Sequence, residues 1–250
     1  MRRIKLTVAY DGTRYSGWQI QPNASTIEGC LDEAINKLTG EKIHVTGASR
    51  TDAGVHSMGN VAVFDTESTI PADKFAYALA RFLPEDIVIQ SSCQVEDIFH
   101  PRHCDTRKTY EYRILNTEFG NPIRRNYSWH VPYVLSVPEM QKATAFIIGE
   151  HDFKSFCCVR TDAESTVRTI YSIEVFTEGK SEADREVVIR ITGNGFLYNM
   201  VRIIAGTLVS VGKGQIPPER VKQMLEAKDR CVAGQTAPPQ GLMLVKIDYL

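Results

Sequence analysis

Apolar and polar residues alternate over residues 4–10, with Ile4, Leu6, Val8 and Tyr10 on one face, which is the period of a β-strand. The period then changes. Over residues 27–38 the apolar positions fall at helical spacing, Ser25 and Glu28 stand ahead of them at capping-box distance, and Gly40 ends the run. Residues 43–48 and 60–64 predict two strands. Pro71 suits a helical first turn continued through 75–82, and 87–95 predicts a fourth strand. The order is strand, helix, strand, strand, helix, strand.

The second half repeats that order more loosely. Residues 107–115 predict a strand and 138–148 a helix. Residues 167–176 and 186–191 predict two strands around a charged turn at 178–184. A long apolar helix follows at 196–211, another helix at 217–227, and an alternating strand at 242–249. The turn-rich stretch 235–241 is the loosest connection. A βαββαβ unit on an antiparallel sheet is the ferredoxin-like arrangement. The pattern therefore predicts an α+β chain of two such subdomains, 1–105 and 106–250, with the junction near 91–106.

Composition narrows the class. The 250 residues suffice for one large domain or two small ones, and net charge is −1, which argues against coating nucleic acid indiscriminately. Local clusters at Arg2-Arg3-Lys5, Arg102-His103, Arg107-Lys108 and Arg124-Arg125 still allow a basic surface. No apolar run reaches bilayer-spanning length, and the start of the chain lacks a signal-peptide pattern, so a cytoplasmic protein without a membrane partner is expected. Six cysteines without a CxxC pair read as free thiols. His100, His103 and Cys104 lack a suitably spaced fourth ligand, and the glycines at 193–195 and 206–214 match neither a dinucleotide nor a phosphate loop.

The chemistry concentrates in Gly47-Ala48-Ser49-Arg50-Thr51-Asp52-Ala53-Gly54-Val55-His56-Ser57, where guanidinium, hydroxyl, carboxylate and imidazole share one glycine-flanked loop between strands. Asp52 is the candidate reactive group, against the plainer role of a turn carboxylate bonded to nearby amides. Arg202 lies on a helix that is apolar on most sides. Either it pairs with a carboxylate such as Asp52, or its stem carries the charge out to solvent. Tyr110 and Tyr112, with Lys108, share one face of a strand, as in aromatic platforms that stack bases and equally as in an ordinary core.

Arg50-Thr51-Asp52-Ala53-Gly54-Val55-His56 resembles the signature of the TruA-type tRNA pseudouridine synthases. Further blocks resemble that family in its own order: Tyr10-Asp11-Gly12-Thr13-Arg14-Tyr15-Ser16-Gly17-Trp18-Gln19, Arg107-Lys108-Thr109-Tyr110-Glu111-Tyr112-Arg113, Gly149-Glu150-His151-Asp152-Phe153-Lys154-Ser155-Phe156, Gly195-Phe196-Leu197-Tyr198-Asn199-Met200-Val201-Arg202 and Gly241-Leu242-Met243-Leu244. The resemblance implies that Asp52 is the catalytic aspartate and that Tyr110 stacks on the target uracil. It also implies that Arg50 holds the nucleotide out of its stack and that Arg202 pairs with Asp52. By the same resemblance, the two antiparallel sheets would join around a central catalytic cleft. The protein would be a homodimer without metal or cofactor, acting on tRNA at uridines 38, 39 and 40 of the anticodon stem-loop. Ser49 and Ser57 depart from the glycine and alanine common at those positions. Two other readings of the same residues stand beside this one: a non-catalytic RNA-binding module, and a hydrolase of small nucleosides using Asp52 as nucleophile.

Overall fold

The computed structural model describes residues 1–158, 163–179, 181 and 184–250. The chain forms two compact units, one of Met1–Thr106 with Leu244–Leu250, the other of Arg107–Met243.

The first unit contains β1 (Arg2–Tyr10), α1 (Ile27–Thr39), β2 (Thr46–Gly47), β3 (His56–Thr66), α2 (Phe75–Leu79) and β4 (Ile87–Val95). The sheet runs β4-β1-β3, then residues 244–249 of the last strand, and β2 pairs with β3. β1 is antiparallel to both its neighbours. The alternation read at the start of the chain is realised: Ile4, Leu6 and Val8 are buried with Leu31, Ile35, Phe75 and Leu79 in one core.

Three local expectations change. The helix α1 is capped by Thr26 rather than Ser25, whose neighbour's hydroxyl accepts from Gly29 N at 3.3 Å. Glu28 instead accepts from Ile20 N at 3.0 Å, and Gly40 closes the helix in the left-handed region at φ +75°. The strand expected at 43–48 shrinks to two residues. Its donors are taken by α1 side chains: Ile43 N donates to Asn36 Oδ1 (2.7 Å) and Val45 N to Asp32 Oδ1 (2.8 Å). The helix expected to reach residue 82 ends at Leu79, where Phe82 and Leu83 N–H groups fold back onto its carbonyl ahead of Pro84.

The second unit contains β5 (Thr106–Leu115), β6 (Trp129–His130), α3 (Val137–Thr144), β7 (Gly149–Asp152), β8 (Val167–Glu178), β9 (Glu186–Gly193), α4 (Met200–Gly212) and α5 (Arg220–Ala227), with β10 (Leu242–Tyr249) following. The strands run β5-β9-β8-β7, and β6 pairs parallel to β5. The chain pattern does not predict the short strands β6 and β7. Tyr110, Tyr112, Ile114, Ile189 and Ile191 are buried, and α3 packs on α4 and β8. The helix expected from residue 196 begins at Met200, because Asn199 takes the left-handed conformation at φ +62°. α3 stops at Thr144, four residues before the expected end, and Gly149 turns the chain at φ +108°. α5 starts at Arg220, because Pro217 and Pro218 occupy the turn before it and their carbonyls accept from Arg220 and Val221. The charged turn expected at 178–184 falls partly outside the described residues. Among the described residues no helix is long and apolar enough to cross a membrane.

Candidate active site

The Asp52 loop joins β2 to β3 and is held from below by residues 10–18. Trp18 N donates to Thr51 O (3.0 Å), Gly54 N to Tyr15 O (3.2 Å), and Val55 N to Asp52 O (3.1 Å), closing a turn with Gly54 at φ +76°. Tyr10 Oη and Thr51 Oγ1 lie 2.7 Å apart. Burial pushes the Tyr10 phenol up to about 12, so it stays neutral and bridges. Two glycines set how closely the layers approach. A Cβ on Gly12 would sit 2.0 Å from Val55 O, and one on Gly17, at φ +91°, 2.7 Å from Thr51 O. No side chain other than hydrogen could stand at Gly12 without moving the loop.

Asn60, fully buried on β3, is the loop's other anchor. Its Oδ1 accepts from Ser49 N (3.3 Å), and its Nδ2 donates to Ser49 O (3.0 Å) and Tyr10 Oη (3.3 Å). Ser57 Oγ accepts from Asn60 N at 2.9 Å and donates to Leu244 O at 3.3 Å. Trp18 lies against Gly47, where a Cβ would meet its ring at 2.3 Å. With its backbone bound on three sides, the loop leaves Asp52 half-buried and Arg50 exposed. His56 is buried, its Nδ1 accepting from Gly12 N at 3.1 Å and standing 3.2 Å from Asp11 Oδ1. The imidazole therefore ties residues 11–12 to the start of β3.

Positive charge gathers beside the same loop. Arg102 Nε donates to Gly47 O at 2.6 Å. Desolvation there, and then the neighbouring charge of Arg50, hold its pKa below the ordinary guanidinium value. The His100 and His103 rings stack at 3.7 Å. The Arg102-His103 cluster read in the sequence is thus part of the first unit's loop region. Among the described residues no group of three or more His, Cys, Asp or Glu side chains converges as a metal site.

Tyr110 and Arg202 belong to the second unit. Tyr110 is buried on β5 with its ring edge-on to Phe196 at 5.1 Å. Its companion Tyr112 is a core residue: it is fully buried, and its hydroxyl donates to Pro238 O at 2.7 Å. Burial raises the Tyr112 pKa well above the ordinary phenol, against the opposing charge of Arg202. Arg202 lies in the first turn of α4, where Nε donates to Ala237 O (2.7 Å) and Nη1 to Asn199 Oδ1 (2.8 Å). Its own carbonyl accepts from Ala237 N at 3.1 Å. The sequence reading did not single out Tyr10, Gly12, Asn60 or Asn199 as individual site residues. The available signals were a lone asparagine inside the apolar run of β3, and an asparagine three residues before the arginine of an apolar helix.

The first unit thus holds a half-buried carboxylate on a rigid loop with cations beside it, and the second holds Tyr110 and Arg202. Comparison with known proteins gives the class. The sequence model of a family described as tRNA pseudouridine synthase matches residues 6–103 and 143–250, and the chain belongs to that family. The matched segments include Arg50, Asp52 and Arg202, and Tyr110 lies in the stretch between them. Among particular proteins, the chain is 49% identical over 250 residues to the tRNA pseudouridine synthase A of Thermoanaerobacter sp. (strain X514), with all of both chains covered. It is 50% identical over 249 residues to that of Ruminiclostridium cellulolyticum, again over 100% of each, and 45% identical to that of Anoxybacillus flavithermus, over 100% of this chain and 99% of the other.

Proposed function

We propose that this chain isomerises uridine to pseudouridine in tRNA, at positions 38, 39 and 40 of the anticodon stem-loop, with Asp52 as its catalytic group. The observation that carries the reading is the match to synthases along the whole chain, which favours catalysis over the non-catalytic RNA-binding module. In this reading each half is a ferredoxin-like βαββαβ subdomain, the two sheets join around a catalytic cleft, and the working form is a cytoplasmic homodimer. The subdomains divide near residue 105.

The reaction breaks the N1–C1′ bond, turns the freed uracil, joins C5 to C1′, releases the C5 hydrogen to water as a proton and takes one proton from water at N1. Apart from that exchanged proton no atom is supplied from outside, and no cofactor or metal enters the proposal. Cleavage builds positive character on the sugar, as in glycoside hydrolysis. The Asp52 carboxylate either attacks C1′ or takes the C2′ proton, and both routes need it ionised and shielded from bulk water. Arg202 keeps it ionised by opposite charge. Tyr110 stacks on the uracil and keeps it in place while it turns. Arg50 holds the extruded nucleotide, whose unstacking costs roughly a few kcal/mol. Phosphate contacts by Arg102 and its neighbours offset that cost. The rigidity of the Asp52 turn supports this assignment, since a nucleophile or base must be held to a fraction of an ångström.

Asp52→Asn is expected to abolish tritium release from C5-labelled tRNA while tRNA binding survives. Turnover at the unaltered rate would remove Asp52 from the mechanism.

A further inference from the structure

Asparagine at a helix N-cap ordinarily turns its side-chain oxygen onto the amides of the first turn. Asn199 stands at that position of α4 and does not: it makes no capping hydrogen bond, and its backbone is left-handed at φ +62° instead of extended. Its oxygen goes to Arg202 Nη1 at 2.8 Å. The side chain has been diverted from stabilising the helix to holding a guanidinium.

A second support lies behind the same group. Residues 233–238 are strapped across α4. Gly206 lets Gln235 O come so close that a Cβ there would lie 1.9 Å from it, and Gly234 N donates to Thr207 Oγ1 at 3.0 Å. Ala237, fully buried, exchanges hydrogen bonds with Arg202 in both directions: its N–H to the Arg202 carbonyl and its carbonyl from Nε. Tyr112 Oη fixes the next carbonyl, that of Pro238. The stretch that reads in sequence as the loosest connection is thus a fixed backrest.

We infer that Asn199 is a positioning residue: with the Ala237 carbonyl it clamps the Arg202 guanidinium in one orientation, so that its charge is delivered to the catalytic carboxylate without reorganisation. The inference rests on the proposed role of Arg202. A guanidinium on a flexible stem has about 2 kcal/mol of rotamer freedom to lose. Two neutral acceptors 2.7–2.8 Å from two of its nitrogens remove that freedom before substrate arrives, and neither adds a competing negative charge.

The test is single-turnover tritium release and filter binding with C5-labelled tRNA. Glycine accepts φ +62° without strain, so Asn199→Gly removes the oxygen and spares the backbone. It is expected to slow the chemical step by about tenfold to a hundredfold, with tRNA affinity and melting temperature near those of the parent. Arg202→Gln is expected to be defective, and the double variant Asn199→Gly with Arg202→Gln no slower than Arg202→Gln alone. Additive losses in the double variant or a full rate in Asn199→Gly would each overturn the inference while leaving Arg202 in place. A full rate in Arg202→Gln would overturn the underlying reading of Arg202 and the inference with it.

Discussion

Gly12→Ala adds one methyl group about as close to the reaction centre as a change can be made without touching a reactive side chain. Gly12 does not need a left-handed backbone, so alanine costs nothing in φ. The penalty is steric. Its Cβ would stand 2.0 Å from Val55 O, 2.6 Å from Val55 C and 3.0 Å from Val55 N, all backbone atoms. Ordinary contact begins at 3.4 Å, so the two layers must part by 3.4 − 2.0 = 1.4 Å. Val55 is tied to Asp52 by the hydrogen bond that closes the turn, and the shift reaches the carboxylate. Displacements of about 1 Å cost roughly a hundredfold in rate, and overpacking of this kind costs about 1–3 kcal/mol of stability. Gly40→Ala is the matched control. At φ +75° with nothing within 4 Å, it pays only backbone strain of about 1–2 kcal/mol at a helix end. Single-turnover tritium release and thermal melts on both variants separate the two effects. A Gly12→Ala enzyme that melts early and still turns over at the parent rate would refute the claim that this contact sets the position of Asp52.

Two further outcomes follow from the same loop. Asn60→Leu strips the buried Ser49 backbone of its partners and is expected to cost about 2–4 kcal/mol, read as a lower urea midpoint at constant slope; an unchanged midpoint would contradict it. Tyr10 has its folded pKa raised to about 12 against about 10 unfolded. Its share of stability is therefore complete below pH 10 and is lost as pH rises from 10 to 12. Tyr10→Phe should flatten that part of the alkaline loss in urea titrations at pH 9 and 11, and an identical slope in both proteins would count against it.

Long periodic segments were legible because period alone fixes them. β1 follows from the alternation of Ile4, Leu6, Val8 and Tyr10, and α1 from apolar spacing with Gly40 behind it. What failed depended on contacts distant in sequence. Residues 43–45 have strand-like side chains, yet Asp32 and Asn36 of α1 claim their amides. α4 starts later than the apolar run predicts because Asn199 takes a backbone conformation that propensity disfavours and the Arg202 contact supports. Arg202 stands out as a charge on an apolar helix, and Asp52 as the carboxylate of a loop crowded with other polar groups. Asn60 and Gly12 do not, since their importance lies in what touches them. Tyr112 looked equivalent to Tyr110 on a shared strand face, and only packing separates a sealed core ring from its neighbour.

The strand that completes the first unit is made long after the rest of it. Ser57 needs the carbonyl of Leu244, and Gly59 lies against Val245, almost 140 residues beyond Thr106. At about 5–20 residues per second a ribosome takes roughly 7–30 s to cover that distance. Throughout that interval the part of the β3 edge that β2 does not cover is an open template for any passing strand. Nascent chains should therefore depend on chaperone shielding more than the finished enzyme's stability suggests.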